Sequence, residues 1–217
     1  MIVAGIDMSE NSPGVYRFEL DKDYAISASA FLAFNGKNKK QYPGLINYDK
    51  NLNFYDQCNL LHDHIFEFVK DAEYVAFENY AYGGSGDMTG LGETTGILRN
   101  RLYLNGKKIR IYDIQGIKIF ATSAGNVKKE HMRVAFDNEV DPFRCEISAI
   151  GSDKVVEKIA EDIVDSYWIA RLLHTEIQLR TGAVTLRQLP ENKIRVFNRT
   201  TKTYPTNILD TEFLVKK

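Results

Sequence analysis

Four acidic residues in this chain have the types and spacing that could do chemistry together. Asp7 and Glu78 each end a short apolar run, as a carboxylate does at the end of a buried strand. Asp162 and Asp165 are three residues apart in a periodic stretch, and such positions share one face of a helix. Four carboxylates brought together repel one another, and divalent cations remove that repulsion. Oxygen ligands without His or Cys suit Mg²⁺ or Mn²⁺.

The chemistry expected of such a site is displacement at phosphorus. Two ions about 4 Å apart catalyse this reaction, because one activates water and the other stabilises the leaving oxygen. A simpler interpretation of Asp7 stays open at this stage, since Asp, Ser and Asn often cap the turn that follows a strand. Which groups lie next to Asp7 in the folded protein decides whether it is a metal ligand or a turn cap.

The elements that position these acids are predicted from periodicity and turn residues. Strands are expected at residues 2–7, 14–20, 24–34, 74–78 and 108–114. Helices are expected at 54–71, from the end of the flexible glycine-rich stretch 83–96 to about 104, and at 126–140 and 154–175. Residues 35–52 have the composition of a surface loop, and strand-like and loop-like pieces are predicted beyond 175. Three strands followed by alternating helices and strands indicate an α/β fold with mixed pairing.

Charge is distributed unevenly along the chain, although the formal net charge is only −1. Residues 97–133 contain nine Lys or Arg and two acids, and residues 176–217 contain eight and four. A basic middle and tail on an acidic body suggest a surface that faces a polyanion. A solvated charged surface without a partner is the alternative.

Composition also indicates the cellular setting. No apolar run approaches the ~20 residues that a membrane span needs, and the N-terminus lacks the pattern of a signal peptide. Cys58 and Cys145 are the two cysteines, and they form no CxxC pair. We therefore expect a cytoplasmic protein with two buried thiols and no membrane partner.

Four segments, in this order, match the motifs of one known family. Residues 5–7 (Gly-Ile-Asp) look like its first-strand motif, and residues 77–79 (Phe-Glu-Asn) look like its second acidic strand. Residues 117–118 and 123–130 resemble its basic stretch, in which a glycine turn leads into a helix. Residues 162–170 resemble its final motif, two aspartates three apart followed by an apolar helix. The family is that of the RuvC-type Holliday-junction resolvases of bacteria and phages.

The resemblance implies an RNase H-like α/β fold, with a mixed five-stranded sheet flanked by helices. Residues 1–175 would form the resolvase domain, and residues 176–217 a basic C-terminal extension. The implied catalytic residues and metal ligands are Asp7, Glu78, Asp162 and Asp165, with Mg²⁺ as cofactor and Mn²⁺ as a substitute. Lys118 and Lys129 match basic positions that contact the DNA backbone near the cut, and the DNA-binding prediction includes their neighbour Lys128.

The sequence departs from the family pattern at two places. The first motif continues with Met8-Ser9 instead of the usual Pro-Gly. The family often has an aromatic wedge three residues past the second acid, and Ala81 stands there in this chain. Tyr80 and Tyr82 flank it, and either could stack on an unpaired base at a junction. These departures bear on sequence preference and junction geometry more than on metal chemistry.

The predicted function is metal-dependent cutting of four-way DNA junctions by a homodimer. Leu102 and Tyr103 are expected at the subunit interface, because the family is dimeric through the helix after the second acidic strand. A broader branched-DNA nuclease and a non-catalytic junction-binding protein are the alternatives. An actin-like or sugar-kinase-type ATPase shares the Gly-Ile-Asp motif, but it needs two related domains and a second glycine-rich aspartate loop, which the sequence does not show.

Overall fold

A computed structural model of the chain describes residues 1–9, 11–36, 42–79, 88–139, 145 and 154–214. Its centre is a sheet of β1 (Ile2–Asp7), β2 (Gly14–Leu20), β3 (Ile26–Asn35), β4 (Leu45–Asn47), β5 (Tyr74–Glu78) and β6 (Lys108–Tyr112). The strand order is β4-β3-β2-β1-β5-β6. Because β1 pairs antiparallel with β2 and parallel with β5, the sheet is mixed, as predicted.

Helices cover both faces of this sheet. They are α1 (Phe54–Val69), α2 (Met88–Leu104), α3 (Ile114–Thr122), α4 (Lys129–Asn138), α5 (Lys154–Thr181) and α6 (Glu191–Phe197). One hydrophobic core joins α1 and α2 to one face of the sheet. A second, larger core joins the other four helices to the opposite face. None of the helices in the described ranges is long and apolar enough to cross a membrane.

Two glycines bring α5 into direct contact with the sheet. A Cβ atom added at Gly5 would collide with the Ala170 amide nitrogen and would lie 2.5 Å from the Ser166 carbonyl oxygen. A Cβ atom added at Gly14 would collide with the Asp162 carbonyl oxygen. Backbone fills the space that a side chain would need, so glycine at these positions sets the distance between helix and sheet.

Several predicted elements differ from those observed. The sheet has six strands instead of five, because β4 forms within the predicted loop 35–52 and pairs with β3. Helix α2 begins inside the glycine-rich stretch, and α5 continues past residue 175 to Thr181. Helix α3 follows β6 at once because Asp113 caps it, accepting a hydrogen bond from the Gly116 N–H at 2.9 Å. Beyond α5, α6 and two 3-10 turns stand where strand-like pieces were predicted.

The segment after α5 packs on the same core as α5 itself. Val196, Phe197 and Ile208 are buried there. The Asn192 side chain donates hydrogen bonds to the last turn of α3, to the Phe120 carbonyl at 2.9 Å and the Ile119 carbonyl at 3.3 Å. The described part of the tail is therefore joined to the larger core by both apolar and polar contacts.

The two cysteines differ in burial. Cys58 is buried, whereas Cys145 is only partly buried, so the prediction of two buried thiols is wrong for the second. Both are free thiols. Cys145 is held by polar contacts instead, since its N–H donates to the Tyr16 hydroxyl at 2.8 Å.

Candidate active site

Asp7 and Glu78 lie side by side at one edge of the sheet. Ile6 pairs with Phe77 in the parallel register of β1 and β5. The next residues, Asp7 and Glu78, therefore lie at the same height along the two strands. Side chains alternate along a strand, and Asp7 therefore points to the face on which Gly5 meets α5. By the same alternation Glu78 points to that face as well.

Helix α5 brings two further acids to this edge. Asp162 and Asp165 are one turn apart on the face that meets the sheet. Asp162 is 5% exposed, whereas Asp165 is partly exposed. Gly14 on β2 approaches the Asp162 backbone, and this contact fixes the start of the acidic turn over the sheet.

Lys129, the first residue of α4, pairs with the acids near the start of α5. Its ammonium nitrogen lies 3.4 Å from a carboxylate oxygen of Asp165, 3.5 Å from Glu161 and 4.0 Å from Asp162. Burial lowers the pKa of Lys129, but the charges of Asp165, Asp162, Asp7 and Glu161 outweigh burial and raise it. Lys129 therefore stays charged and balances part of the acidic cluster.

The pKa of Asp7 shows that the four acids act on one another. Burial raises it well above its usual range. The charges of Glu78, Asp165 and Asp162 raise the pKa of Asp7 further, and that of Lys129 lowers it. Asp7 thus lies close enough to the other three acids for their charges to act on it.

Glu78 and Asp165 show the same effect with two lysines opposing it. Burial and the charge of Asp165 raise the pKa of Glu78 to about 7, although Lys118 and Lys129 lower it. Burial also raises the pKa of Asp165, again against the charges of Lys129 and Lys118. Lys118, on α3, therefore lies close enough to act on both carboxylates.

The donor set of this cluster fits a hard divalent cation. Carboxylates whose mutual repulsion and burial raise their pKa values gain most from a nearby 2+ charge. Oxygen is the ligand atom that Mg²⁺ and Mn²⁺ prefer. Within the described ranges, no group of three or more His, Cys, Asp or Glu is already arranged to hold an ion. The Lys129 ammonium lies beside the α5 carboxylates, and an ion bound there would have to displace it.

The remaining predicted residues divide into three groups. Lys128 is exposed directly before α4, next to the cluster in sequence but without a capping hydrogen bond from its side chain. Tyr80 and Tyr82 lie outside the described residues. Tyr103 is 70% exposed on α2, as an interface residue requires, whereas Leu102 is fully buried within the subunit and cannot contribute its side chain to an interface.

Sequence reasoning missed the residues that hold the end of β5. The Arg99 guanidinium donates to the Glu78 carbonyl oxygen at 2.9 Å and stacks on the Phe77 ring, 5.0 Å from its centroid. The Asn79 N–H donates to the Tyr112 carbonyl at 2.8 Å. Arg99 is one of nine basic residues in the stretch 97–133, and nothing in that pattern separates it from the others.

Asp113 is a fifth acid at this edge, also missed. It follows β6 as Glu78 ends β5, and its charge contributes to the raised pKa of Glu78. However, it caps α3 and pairs with Arg199 at 3.1 Å. These contacts give Asp113 a structural role.

Comparison with solved structures shows which fold this is. The structure of RuvC from Thermus thermophilus matches with a TM-score of 0.55 and 16% identity, covering 84% of this chain and 98% of that one. The same RuvC in complex with a Holliday junction substrate matches with a TM-score of 0.52 and 17% identity, covering 84% and 97%. The yeast mitochondrial Holliday junction resolvase Ydc2 matches with a TM-score of 0.50 and 14% identity, covering 83% and 81%.

These likenesses concern the fold. They confirm the α/β, RNase H-like architecture expected from the motifs. No protein-family model matches the sequence, and no curated protein matches it either. The shared fold is thus visible in three dimensions at sequence identities where direct sequence comparison finds nothing.

Proposed function

We propose that this chain is a metal-dependent endodeoxyribonuclease that cuts four-way DNA junctions. One observation carries the proposal: Asp7, Glu78, Asp162 and Asp165 converge at one edge of a sheet whose fold is also that of RuvC. Ordinary packing does not explain the convergence, since placing like charges together is costly without a cation.

Each group of residues has a part in the proposed reaction. The four carboxylates would hold Mg²⁺, or Mn²⁺ in its place, and a bound pair of such ions activates water and stabilises the leaving oxygen of a phosphodiester. Lys118 and Lys129 act electrostatically on Glu78 and Asp165, so a phosphate held by these lysines would lie beside the carboxylates. Lys128, exposed next to Lys129, extends the same basic surface.

The proposed enzyme is a homodimer that joins through α2. Gly92 and Gly96 face open space on this helix, where an added Cβ would meet nothing within 4 Å. The same side of α2 exposes 44% of Ile97, 70% of Tyr103 and 72% of Leu104. A branched substrate with two strands to cut suits a pair of such subunits. Sedimentation velocity at micromolar concentration would show a mass near 50 kDa for the dimer, twice the 24.8 kDa of the chain.

Two further expectations belong to the proposal. Free thiols at Cys58 and Cys145 suit the reducing cytoplasm. Residues 1–175 form the resolvase domain in this proposal, and residues 176–217 form a basic extension that packs on it through α6.

The test is cleavage of a synthetic four-way junction. Wild-type protein should cut it with Mg²⁺ and not with EDTA. Asp7→Asn should lower the cutting rate at least 100-fold while junction binding survives, because the acids hold metal and the lysines hold phosphate. Asp63→Asn is the matched control, since Asp63 is an exposed acid on α1 paired with Arg101. It should cut like wild type.

The outcomes separate the candidate functions. Robust cutting by Asp7→Asn with Mg²⁺ would sink the assignment of the site. Equal cutting of forks, flaps and four-way junctions would indicate a broader branched-DNA nuclease. Tight junction binding by wild-type protein without any cutting, with Mg²⁺ or Mn²⁺, would indicate a non-catalytic junction-binding protein.

A further inference from the structure

The tail of the chain forms a closed turn, residues 201–204, at the site edge of the sheet. The Thr201 N–H donates to the Tyr204 carbonyl at 2.7 Å, and the Tyr204 N–H donates to the Thr201 hydroxyl at 2.9 Å. Lys202 and Thr203 are exposed between them. Two hydrogen bonds across four residues fix this turn before any ligand binds.

Two contacts fasten the turn beside the acidic cluster. The Thr203 hydroxyl accepts a hydrogen bond from the side chain of Asn79 at 3.2 Å, and Asn79 directly follows Glu78. Arg199 donates to Asp113 at 3.1 Å and to Gln115 at 2.6 Å, both at the start of α3. The tail therefore meets the ends of β5 and β6, the two strands on this side of β1.

The same contacts align the tail with Lys118. Gln115 and Lys118 are three residues apart on α3 and so share one of its faces. Arg199 binds Gln115 on that face, and Lys202 follows in the adjoining turn. Residues 193–202 contain four basic residues and no acid. Lys193 and Arg199 are paired with Glu139 and Asp113, whereas Arg195 and Lys202 are exposed, so the tail adds exposed positive charge beside α3.

A buried polar cluster holds the tail in this place. Glu176 on α5 is fully buried and accepts hydrogen bonds from Arg110 on β6 at 3.0 and 2.8 Å and from Arg180 at 2.7 Å. Both arginines also donate to the Ile208 carbonyl, at 2.8 and 2.9 Å, and Arg180 donates to the Thr211 carbonyl at 2.7 Å. We call Glu176, Arg110 and Arg180 the tail clamp. It fixes residues 208–211 to the sheet.

We propose that the turn 201–204 is a DNA-contacting element of the candidate site, in which Lys202 binds a backbone phosphate of the strand that enters it. This inference rests on the proposed function. Within the described ranges Lys202 takes part in no ion pair, so its ammonium needs no internal contact to be broken. A lysine on an exposed, preformed turn binds phosphate without first paying to order its backbone.

The prediction is specific to the position of Lys202. Lys22 is the matched control, because it is an exposed lysine in the turn between β2 and β3. That turn adjoins the N-terminal end of β1, since the Leu20 N–H donates to the Met1 carbonyl, whereas Asp7 lies at the opposite end of the strand. Each variant removes one positive charge, so a difference between them reports direct contact with DNA and not the change in net charge.

The experiment measures junction affinity for wild type, Lys202→Ala and Lys22→Ala in EDTA between 50 and 200 mM salt. Each phosphate contact contributes about 0.9 to the slope of log affinity against log salt. Lys202→Ala should lower the slope by about one, so the affinity lost over this range is about 3.5-fold smaller than for wild type. Lys22→Ala should leave the slope unchanged.

Each result has one meaning. If Lys202→Ala and Lys22→Ala give the same slope, whether lowered or not, the turn is not a contact element, and the inference is wrong. Cutting by wild type with Mg²⁺ is measured on the same junction. If wild type cuts and only the slope prediction fails, the proposed function stands without this inference. If wild type neither binds nor cuts the junction, both are overturned.

Discussion

The tail clamp allows one stability effect to be worked out from contacts. The Glu176 carboxylate accepts hydrogen bonds from Arg110, Arg180 and Tyr112. Among the described residues it is the only carboxylate that pairs with either arginine. Glu176→Gln keeps the size and shape of the side chain but removes the negative charge. The Arg110 guanidinium, whose residue is 6% exposed, then stays buried without a counter-charge.

The expected cost follows from the burial of this pair. Removing one partner of a buried ion pair destabilises a protein by about 3–5 kcal/mol, because the other charge is left uncompensated. For a chain of this size each kcal/mol lowers Tm by about 2–4 °C. Glu176→Gln should therefore lower Tm by about 6–20 °C.

The assay is urea denaturation followed by circular dichroism, with a thermal scan beside it. Asp137→Asn is the control, because it removes the exposed partner of Arg133 on α4, a pair with N···O of 3.0 Å. Exposed pairs contribute about 0–1 kcal/mol, so this change should be small. The double variant Arg110→Met, Glu176→Met should be more stable than Glu176→Gln, since it leaves no unpaired charge in the clamp's central pair. If Glu176→Gln is no more destabilising than Asp137→Asn, the reasoning about the clamp is refuted.

Two further predictions concern the packing of α5. Gly5→Ala should destabilise the protein by about 1–3 kcal/mol or more, because the new Cβ collides with the α5 backbone. Gly125→Ala is the control, because a Cβ there would meet only side-chain atoms of Ile119 and Gln115 at 3.4 Å or more, and it should change stability by about 0.5 kcal/mol or less; equal effects of the two changes would contradict the packing argument. His174 donates from Nε2 to the Tyr24 carbonyl at 2.8 Å and accepts at Nδ1 from Arg171 at 3.0 Å, so the folded state holds it neutral. Burial lowers its pKa from 6.5 to about 4, and the unfolded chain therefore binds the proton first as pH falls. Stability from this group is complete above about pH 6.5 and falls by about 2.5 kcal/mol at pH 4.5. The raised pKa values of Glu78, Asp7 and Asp165 change stability in the opposite direction, but equally in wild type and in His174→Asn. Urea denaturation at pH 7.5 and 4.5 should therefore show a change that is about 2.5 kcal/mol less favourable in wild type than in His174→Asn, and an equal change in both would count against it.

The strands and helices with strong periodicity could be predicted from the sequence, and the short or polar ones could not. Strand β5 was predicted with its observed bounds, Tyr74–Glu78, because it is a continuous apolar run. Strand β4 has three residues inside a polar stretch, and pairing with β3 makes it a strand. Helix α3 was missed because its nine residues follow a strand with a single capping residue, Asp113, as the boundary.

The acids of the candidate site could be named from the sequence, but the residues that arrange them could not. A carboxylate at the end of an apolar run is visible as a pattern, and so are two aspartates three apart. The close approach of Gly5 and Gly14 to α5 depends on helix residues more than 140 positions away in sequence. The pairing of Arg110 with Glu176 is equally non-local, and neither residue differs in type from the many other charges of the chain.

The contact between β1 and α5 has a consequence for the biosynthesis of this protein. Asp7 leaves the ribosome well before Asp162 and Asp165, which follow it by more than 150 residues. Contacts of such long sequence separation form slowly, since a large loop must close before they stabilise the fold. A nascent chain, or a fragment that ends before α5, contains only half of the four carboxylates. The proposed DNA-cutting activity would therefore arise only once α5 has been made and packed, and products that stop before α5 would be unable to damage the DNA of the cell that makes them.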